Sequence, residues 1–503
     1  MKCNVRNVSQ ISKFGALALY SSAGTRALEA HLQTMLPEHS LMQRAGLACA
    51  ELALAIAPHA RKIWIACGPG NNGGDGLEAA VHLKQWGKDV TATWLGNAQD
   101  SPKHALSSWQ RAKMAGVVIH SKPPESFDLS IDALLGLGCS RPPEGPMAQW
   151  LHTMHASGKP VLAIDLPTGL NADTGTWFRP ANTLTSFSPV HTLSLLTLKP
   201  GLFTADGRDA CGQVWFDDLG SSSVEQAWQQ VIPNAYLQSP YAKNLTPRRH
   251  NSHKGTYGDL IVIGGAPGMA GAAILASVAA LHSGAGRVYA CLLDTAFGLN
   301  ATAQYPALMV RDVNSLQLEK ASIVCGCGGG DEVRAILPKI LSASAQLVLD
   351  ADALNAISSD SSLFHLLKGR TRTGRSTVLT PHPLEAARLL KCTAQDIQNN
   401  RLQAAQQLAG LTGAVVVLKG SGTVIATDQT TPVINPTGNA RLASAGTGDV
   451  LAGVIGAKMA QGLSAFDAAC DGVRVHGFAA DAWPDSGPTL DAASLATCIG
   501  TQH

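Results

Sequence analysis

Short apolar runs that end in a glycine or an acid, separated by amphipathic stretches, recur along this chain, and that alternation constrains its fold more than any single residue does. Residues 62–67 read as a buried strand, 77–86 as a helix, and 90–94 and 161–164 as further strands. Strands and helices in that order imply a doubly wound parallel sheet, whose ligands bind at the carboxyl ends of the strands. Between about 220 and 252 the alternation fails. Ser221, Ser222, Ser223, Pro233, Pro240, Pro247 and the basic pair Arg248 and Arg249 fall there, as in a domain seam. The pattern then restarts, with strands expected at 259–263, 287–292, 323–325, 347–349, 378–379 and 415–418 and a small-residue helix over 270–283. A chain of 503 residues also exceeds what one hydrophobic core organises. Two α/β domains are therefore expected, 1–235 and 245–503, without short-period repeats.

The net charge of +2 gives no electrostatic footprint for nucleic acid, so small molecules are the expected partners. The 11 cysteines are scattered, mostly in apolar runs and without CxxC spacing, and read as reduced core thiols of a cytoplasmic protein. Lys13 precedes an apolar stretch from Phe14 to Tyr20 that is too short for a signal or a membrane span.

Chemistry is concentrated in the turns. After the strand ending at Cys67 comes Gly68-Pro69-Gly70-Asn71-Asn72-Gly73-Gly74-Asp75-Gly76. Its glycines permit close backbone approach near a helix start, and Asn71, Asn72 and Asp75 add polar contacts. The loop lacks the Walker lysine and the dinucleotide fingerprint spacing, which disfavours a plain Rossmann dehydrogenase. Alone it reads as a glycine turn with an Asp cap. Asp132 before Gly136 and Gly138, and Asp165 before Thr168 and Gly169, repeat the pattern of an acid at a strand end beside a glycine turn. Carboxylates so placed suit proton abstraction or a hard cation, although each alone is an ordinary turn or cap residue.

Together with Arg26, residues 41–46 and Thr197-Leu198-Lys199-Pro200-Gly201, these segments resemble the NAD(P)H-hydrate epimerase family over residues 20–220. The resemblance implies a Rossmann-like domain binding hydrated nicotinamide nucleotide through Asn71, Asn72, Gly73, Gly74 and Asp75, through Gly136, Leu137, Gly138, Cys139, Ser140, Arg141 and Pro142, and through Asp165. It implies potassium on Asn72, Asp132 and Thr168, the last more often Ser in the family. Asp165 is the expected acid/base, although the sequence does not separate its role from that of Asp132.

In the second half, Gly446-Thr447-Gly448-Asp449 opens an apolar helix, where its amides suit phosphoryl oxygens and the acid can activate a hydroxyl. Lys419-Gly420-Ser421-Gly422-Thr423 adds a cation and hydroxyls after a strand. Alone, Asp350 and Asp352 read as strand-end and cap residues, His382 as exposed on a rigid loop, and His253 and Lys254 as a solvated basic turn. With His253-Lys254-Gly255, residues 263–272, 284–286 and 350–355, and Thr380-Pro381-His382-Pro383-Leu384-Glu385, this half resembles the ADP- or ATP-dependent NAD(P)H-hydrate dehydratases of the ribokinase-like superfamily over 245–490. The resemblance implies substrate contacts at Pro381, His382, Pro383, Leu384, Glu385, Ala386 and Ala387, at Gly328, and at Asp449 as catalytic base. Lys419, Gly420, Ser421, Gly422 and Thr423, with Asn439, Ala440, Arg441, Leu442, Ala443, Ser444, Ala445, Gly446, Thr447 and Gly448, would hold ADP or ATP with Mg²⁺. The chain departs from the family at Leu384, usually Gly, at Cys327, often Pro, and at 440–443, where a Gly-Met-Ala-like run is usual. NADHX and NADPHX are the implied substrates and a homo-oligomer the implied assembly. A small-molecule kinase is the rival reading of the second half, because Gly-Thr-Gly-Asp serves both outcomes. For the first half the rival is a nucleotide-sensing or protein-interaction module without turnover.

Overall fold

The computed structural model describes residues 9–11, 16–97, 99–178, 190–240, 249–294 and 305–501. Phe14 of the short apolar stretch, and Pro247 and Arg248 of the seam, lie outside these. The chain forms two compact units, Met1–Ala235 and Tyr236–His503, and the expected two-domain α/β architecture is what is found.

In the first unit strand Lys62–Cys67 is central, paired in parallel with Asp89–Trp94 on one side and Leu129–Ala133 on the other. Val118–His120 lies outside Asp89–Trp94, and Val161–Ile164, Val190–Leu195 and Gln213–Asp217 follow Leu129–Ala133, all parallel. The chain thus winds one way from the central strand and then the other. The turns after Cys67 and after Ala133 diverge at this reversal and leave a crevice between them. After Lys62 the central strand is apolar and buried because both its faces are covered. Ile63, Ile65 and Cys67 pack in one core and Trp64 and Ala66 in the other.

One expectation is corrected here. The helix expected over 77–86 begins at Asn71, so the polar part of the glycine-rich loop is the first turns of helix Asn71–Gln85. Three glycines that helix propensity alone would exclude sit inside it. They serve close packing against protein. A Cβ on Gly73 would lie 2.0 Å from the Gly68 carbonyl oxygen, one on Gly74 2.7 Å from Met42 Sδ, and one on Gly76 2.5 Å from Ala133 Cβ. Gly73→Ala, which in an open helix would gain about 1 kcal/mol, is therefore expected to destabilise the first unit by roughly 1–3 kcal/mol. A lowered melting transition checks this, and an unchanged one contradicts it.

The second unit repeats the logic. Strand Asp259–Gly264 pairs in parallel with Arg287–Leu292 on one side and Ser322–Cys325 on the other, and Gln346–Leu349, Ser376–Leu379 and Val415–Leu418 continue the parallel sheet. Val424–Ala426 and Val433–Ile434 then continue the sheet with antiparallel pairings. Leu260, Val262, Val324, Val348, Val378 and Val417 join one core with the helices Ala270–His282 and Thr447–Ala460. No helix among the described residues is long and apolar enough to cross a membrane. The cysteines among them are all free thiols.

Candidate active sites

At the reversal point of the first sheet lies a cavity of about 470 Å³, lined by Asn71, Asn72, Asp75, Gly136, Leu137, Gly138 and Asp165 among others. Gly73 and Gly74 face the protein instead. Cys139, Ser140, Arg141 and Pro142 lie beyond the lining, with Cys139 buried and Arg141 exposed. Arg26, from helix Ser22–Met35, closes one side and donates through Nη2 to the Leu137 carbonyl at 3.2 Å.

Asp165 is the most constrained residue of this site. It follows strand Val161–Ile164 with φ of +65°, a region a non-glycine residue occupies only where its surroundings enforce it. Its amide donates to the Leu193 carbonyl at 2.7 Å, while Oδ1 accepts from the Leu195 amide at 3.3 Å and forms an ion pair with Lys199. Lys199 is wholly buried, and its three donors go to Asp165, to Ser194 Oγ at 3.2 Å and to the Leu195 carbonyl at 2.8 Å. Burial lowers the Lys199 pKa against the pull of Asp165. With Oδ1 tied down, Oδ2 is left toward the cavity, 3.3 Å from where a Cβ on Gly136 would stand and close to Asn72. Asp75 contrasts with it. Desolvation first, then the charges of Glu29, Asp165 and Glu78, raise its pKa well above the usual carboxylate range. One cavity thus holds a carboxylate paired with a lysine and another pushed to keep its proton, which is how acid and base roles separate.

Asp132 and Thr168 are joined directly. The Thr168 amide and hydroxyl donate to the Asp132 carboxylate at 2.9 and 2.7 Å, and Thr168 Oγ1 in turn accepts from the Leu135 amide at 3.0 Å. Asn72 has its amide beside Gly136, the next residue, with Nδ2 buried and unpaired. Turning that amide so that its oxygen takes the orphan position gives an acceptor that a cation satisfies. Amide, carboxylate and hydroxyl oxygens form a donor set of the hard-cation type.

In the second unit the sheet's carboxyl edge assembles the other site. Lys419 follows strand Val415–Leu418, and its Nζ donates to Asp350 Oδ1 at 2.7 Å, as does Thr380 Oγ1 at 2.7 Å. Asp350 occupies the residue before helix Ala351–Ser359 but makes no cap hydrogen bond, so its carboxylate serves the site. Lys419 Nζ also lies 3.2 Å from where a Cβ on Gly448 would stand, which puts it over the Gly-Thr-Gly turn. Gly446 there has φ of +89°, favouring glycine. Carboxylate oxygens of Asp350 and Asp449 and the Cys327 sulfur lie within 4.8 Å of one another. Burial, then the Asp350 charge, raises the Asp449 pKa to about 6, with Cys327 and Lys419 acting in the opposite sense. Desolvation opposes the Lys419 cation, yet Asp350, Glu385 and Asp449 hold its pKa above the usual value.

Among the other expected contacts, His382 caps helix Pro383–Leu390. Its Nδ1 accepts from the Leu384 and Glu385 amides at 3.1 and 3.3 Å, while Glu385 Oε2 accepts from the His382 amide at 2.8 Å. Leu384 is 46% exposed, whereas Ala386 and Ala387 are buried. Gly328, at φ of +56°, lies in the turn after Ser322–Cys325, with Met269 and Ala272 against it. Arg441 pairs with Asp485 beside Asn439, which caps the short turn Ala440–Leu442. Ala443, Ser444 and Ala445 are exposed, as are Gly420 and Ser421.

A family model described as NAD(P)H-hydrate dehydratase matches residues 260–501, and one described as YjeF-related protein N-terminus matches 38–201. The bifunctional NAD(P)H-hydrate repair enzyme of Escherichia coli is 38% identical over 453 residues, which cover 88% of this chain and 85% of that protein. The chain belongs to the family of bifunctional NAD(P)H-hydrate repair enzymes. The enzyme of the same name from Coxiella burnetii is 34% identical over 93% of this chain and 95% of its own. An ADP/ATP-dependent NAD(P)H-hydrate dehydratase from Bacillus subtilis, co-crystallized with ATP/Mg²⁺, aligns at 29% identity and a TM-score of 0.43, covering 51% of this chain and 92% of its own.

Against that family background, three residues stand in the sites without having been assigned a role from sequence. Lys199 carried no signal beyond lying in a matched segment, and Glu29 none at all. His476, buried in helix Ala465–Asp481, holds the Thr447 carbonyl through Nε2 at 2.9 Å and so braces the Gly-Thr-Gly turn. Burial lowers its pKa to about 4, so it acts as a neutral ring.

Proposed function

We propose that the first unit interconverts the R and S forms of hydrated NADH and NADPH and that the second dehydrates the S form at the expense of ADP or ATP. The observation that carries this reading is that each sheet presents, at its carboxyl edge, a lysine-paired carboxylate beside a second acid of raised pKa: Asp165 and Lys199 with Asp75, and Asp350 and Lys419 with Asp449.

Epimerisation requires a bond at the hydroxyl-bearing carbon to break and re-form on the opposite face, so one group must give a proton and another take one. Asp165 Oδ2 takes the proton, Asp75 supplies one, and Lys199 holds Asp165 in its strained position. Asn72, Asp132 and Thr168 would hold K⁺, which supplies a fixed positive charge that orders oxygen ligands. In the second unit Asp449 takes the proton of the substrate hydroxyl as that oxygen attacks the terminal phosphoryl group, and the phosphorylated hydroxyl then departs more readily than hydroxide. Lys419 and the amides of Gly446, Thr447 and Gly448 face the phosphates, and Mg²⁺ bound with the nucleotide would neutralise their charge. Hydrated NADH enriched in the R form, incubated with the protein and no nucleotide, should relax to an R and S mixture on chromatography. No change from folded protein would refute the epimerase half.

Because Asp449 acts as a base and its pKa is raised to about 6, it loses the basic form as pH falls through that value. Dehydration is therefore expected to be level above about 6 and to fall below it. A pH–rate profile with the S form checks this, and one flat through about 6 contradicts it.

A further inference from the structure

Two histidines at the rim of the first unit's cavity face each other in a way the reaction does not use. His39 precedes helix Ser40–Ile56 in the left-handed region, with φ of +66°, and His104 lies in the first turn of helix Lys103–Met114. Both are partly buried and both line the cavity. Their Nδ1 atoms stand 3.4 Å apart. Two imidazole nitrogens bound at about 2.0–2.1 Å to one tetrahedral zinc ion stand roughly 3.3–3.4 Å apart. We propose that His39 and His104 form a binding site for a zinc-type divalent transition metal, with Glu78 as the carboxylate that orients His39.

The far side of the His39 ring supports this. His39 Nε2 lies 2.8 Å from Glu78 Oε1, and the Glu78 side chain is wholly buried. Nε2 therefore carries the hydrogen and Nδ1 the lone pair, aimed at His104. A carboxylate behind a histidine in this manner is the usual outer partner of a zinc ligand, fixing tautomer and ring orientation. The sequence is arranged to put it there. A Cβ on Gly46 would lie 2.3 Å from Glu78 Cβ, so the two helices cross closely enough only with glycine at that position.

Charge in the neighbourhood is balanced. Arg111 Nε donates to both Glu78 oxygens at 3.0 and 3.1 Å, which neutralises that carboxylate and leaves the site without net repulsion or attraction from the pair. Glu38 lines the same cavity and is held by an exposed ion pair with Lys103. Such surface pairs are worth little, so Glu38 is free to turn and supply an oxygen ligand, with water completing the tetrahedron. Without metal, His104 Nδ1–H donates to His39 Nδ1, and binding replaces that hydrogen bond after a tautomer change at His104. A bound ion ties the start of helix Ser40–Ile56 to helix Lys103–Met114 at the cavity rim. The site stands independently of the reaction assigned to the cavity.

The test is a titration of the chelator-treated full-length protein with Co²⁺, whose visible bands report ligand type and geometry, followed by displacement with Zn²⁺. One stoichiometric site with tetrahedral bands and no thiolate charge-transfer band is expected. His39→Gln and His104→Gln should each abolish it, and Glu78→Gln should weaken it roughly 10–100-fold. His104 is partly exposed and its replacement should leave the metal-free melting curve unchanged, so it decides the matter if another variant folds poorly. The absence of a saturable site, a site that persists in His104→Gln, or a thiolate band lost in Cys327→Ser would overturn the assignment. The last result would place the metal at Cys327, Asp350 and Asp449 instead.

Discussion

Asp449→Asn is expected to slow nucleotide-dependent dehydration by about 10²–10⁴-fold, the range for removing a general base, and to leave epimerisation at its parent rate. The side chain is nearly isosteric, and Cys327, Asp350 and Lys419 keep their places around it. Stability should not confuse the result. A carboxyl whose folded pKa is raised to about 6 is destabilising as the anion above that pH, and a neutral amide removes that cost. The variant should therefore melt at or above the parent temperature while losing turnover. Turnover within a few-fold of the parent, measured on the S form, would remove Asp449 from the role of base.

Lys199→Met has the opposite profile. Lys199 and Asp165 are a buried ion pair whose lysine has all three donors satisfied, and removing one member leaves the other charge uncompensated. Breaking such a pair costs about 3–5 kcal/mol. Asp165, already held at a positive φ, then has nothing to fix its Oδ1 beyond the Leu195 amide. Loss of epimerisation together with a lowered melting transition is expected, with dehydration of the S form retained by the second unit. A parent-like melting curve would show that the pair does not carry the local structure. Retained epimerisation would show that Lys199 does not support Asp165 in catalysis.

Much of this organisation is legible in the sequence because buried parallel strands must be apolar on both faces. The runs ending at Cys67, Ile164 and Leu418 therefore stand out, and the turns after them hold the chemistry. Strands Val118–His120 and Val433–Ile434 were not anticipated. They are only three and two residues long, and neither is buried throughout. The start of helix Asn71–Gln85 was missed for a different reason. An Asn-Asn-Gly-Gly-Asp-Gly run has the local preferences of a loop, and its glycines stand where a Cβ would run into Gly68, Met42 and Ala133. Partnerships were the least readable. Asp350 looked like a cap until Lys419 and Thr380, 69 and 30 residues away in the chain, were seen to share its Oδ1. His382, expected to be exposed on a rigid loop, is indeed exposed but also caps a helix with Glu385.

The most direct test of the two-activity account is recovery of the NADH absorbance band from mixed-epimer hydrated NADH, with ADP or ATP, Mg²⁺ and K⁺ present. Complete recovery is predicted for the parent chain, and a stall once the S form is consumed is predicted for Asp165→Ala. Absence of recovery with either nucleotide from folded protein, or accumulation of a stable phosphorylated product, would contradict the account and favour a small-molecule kinase.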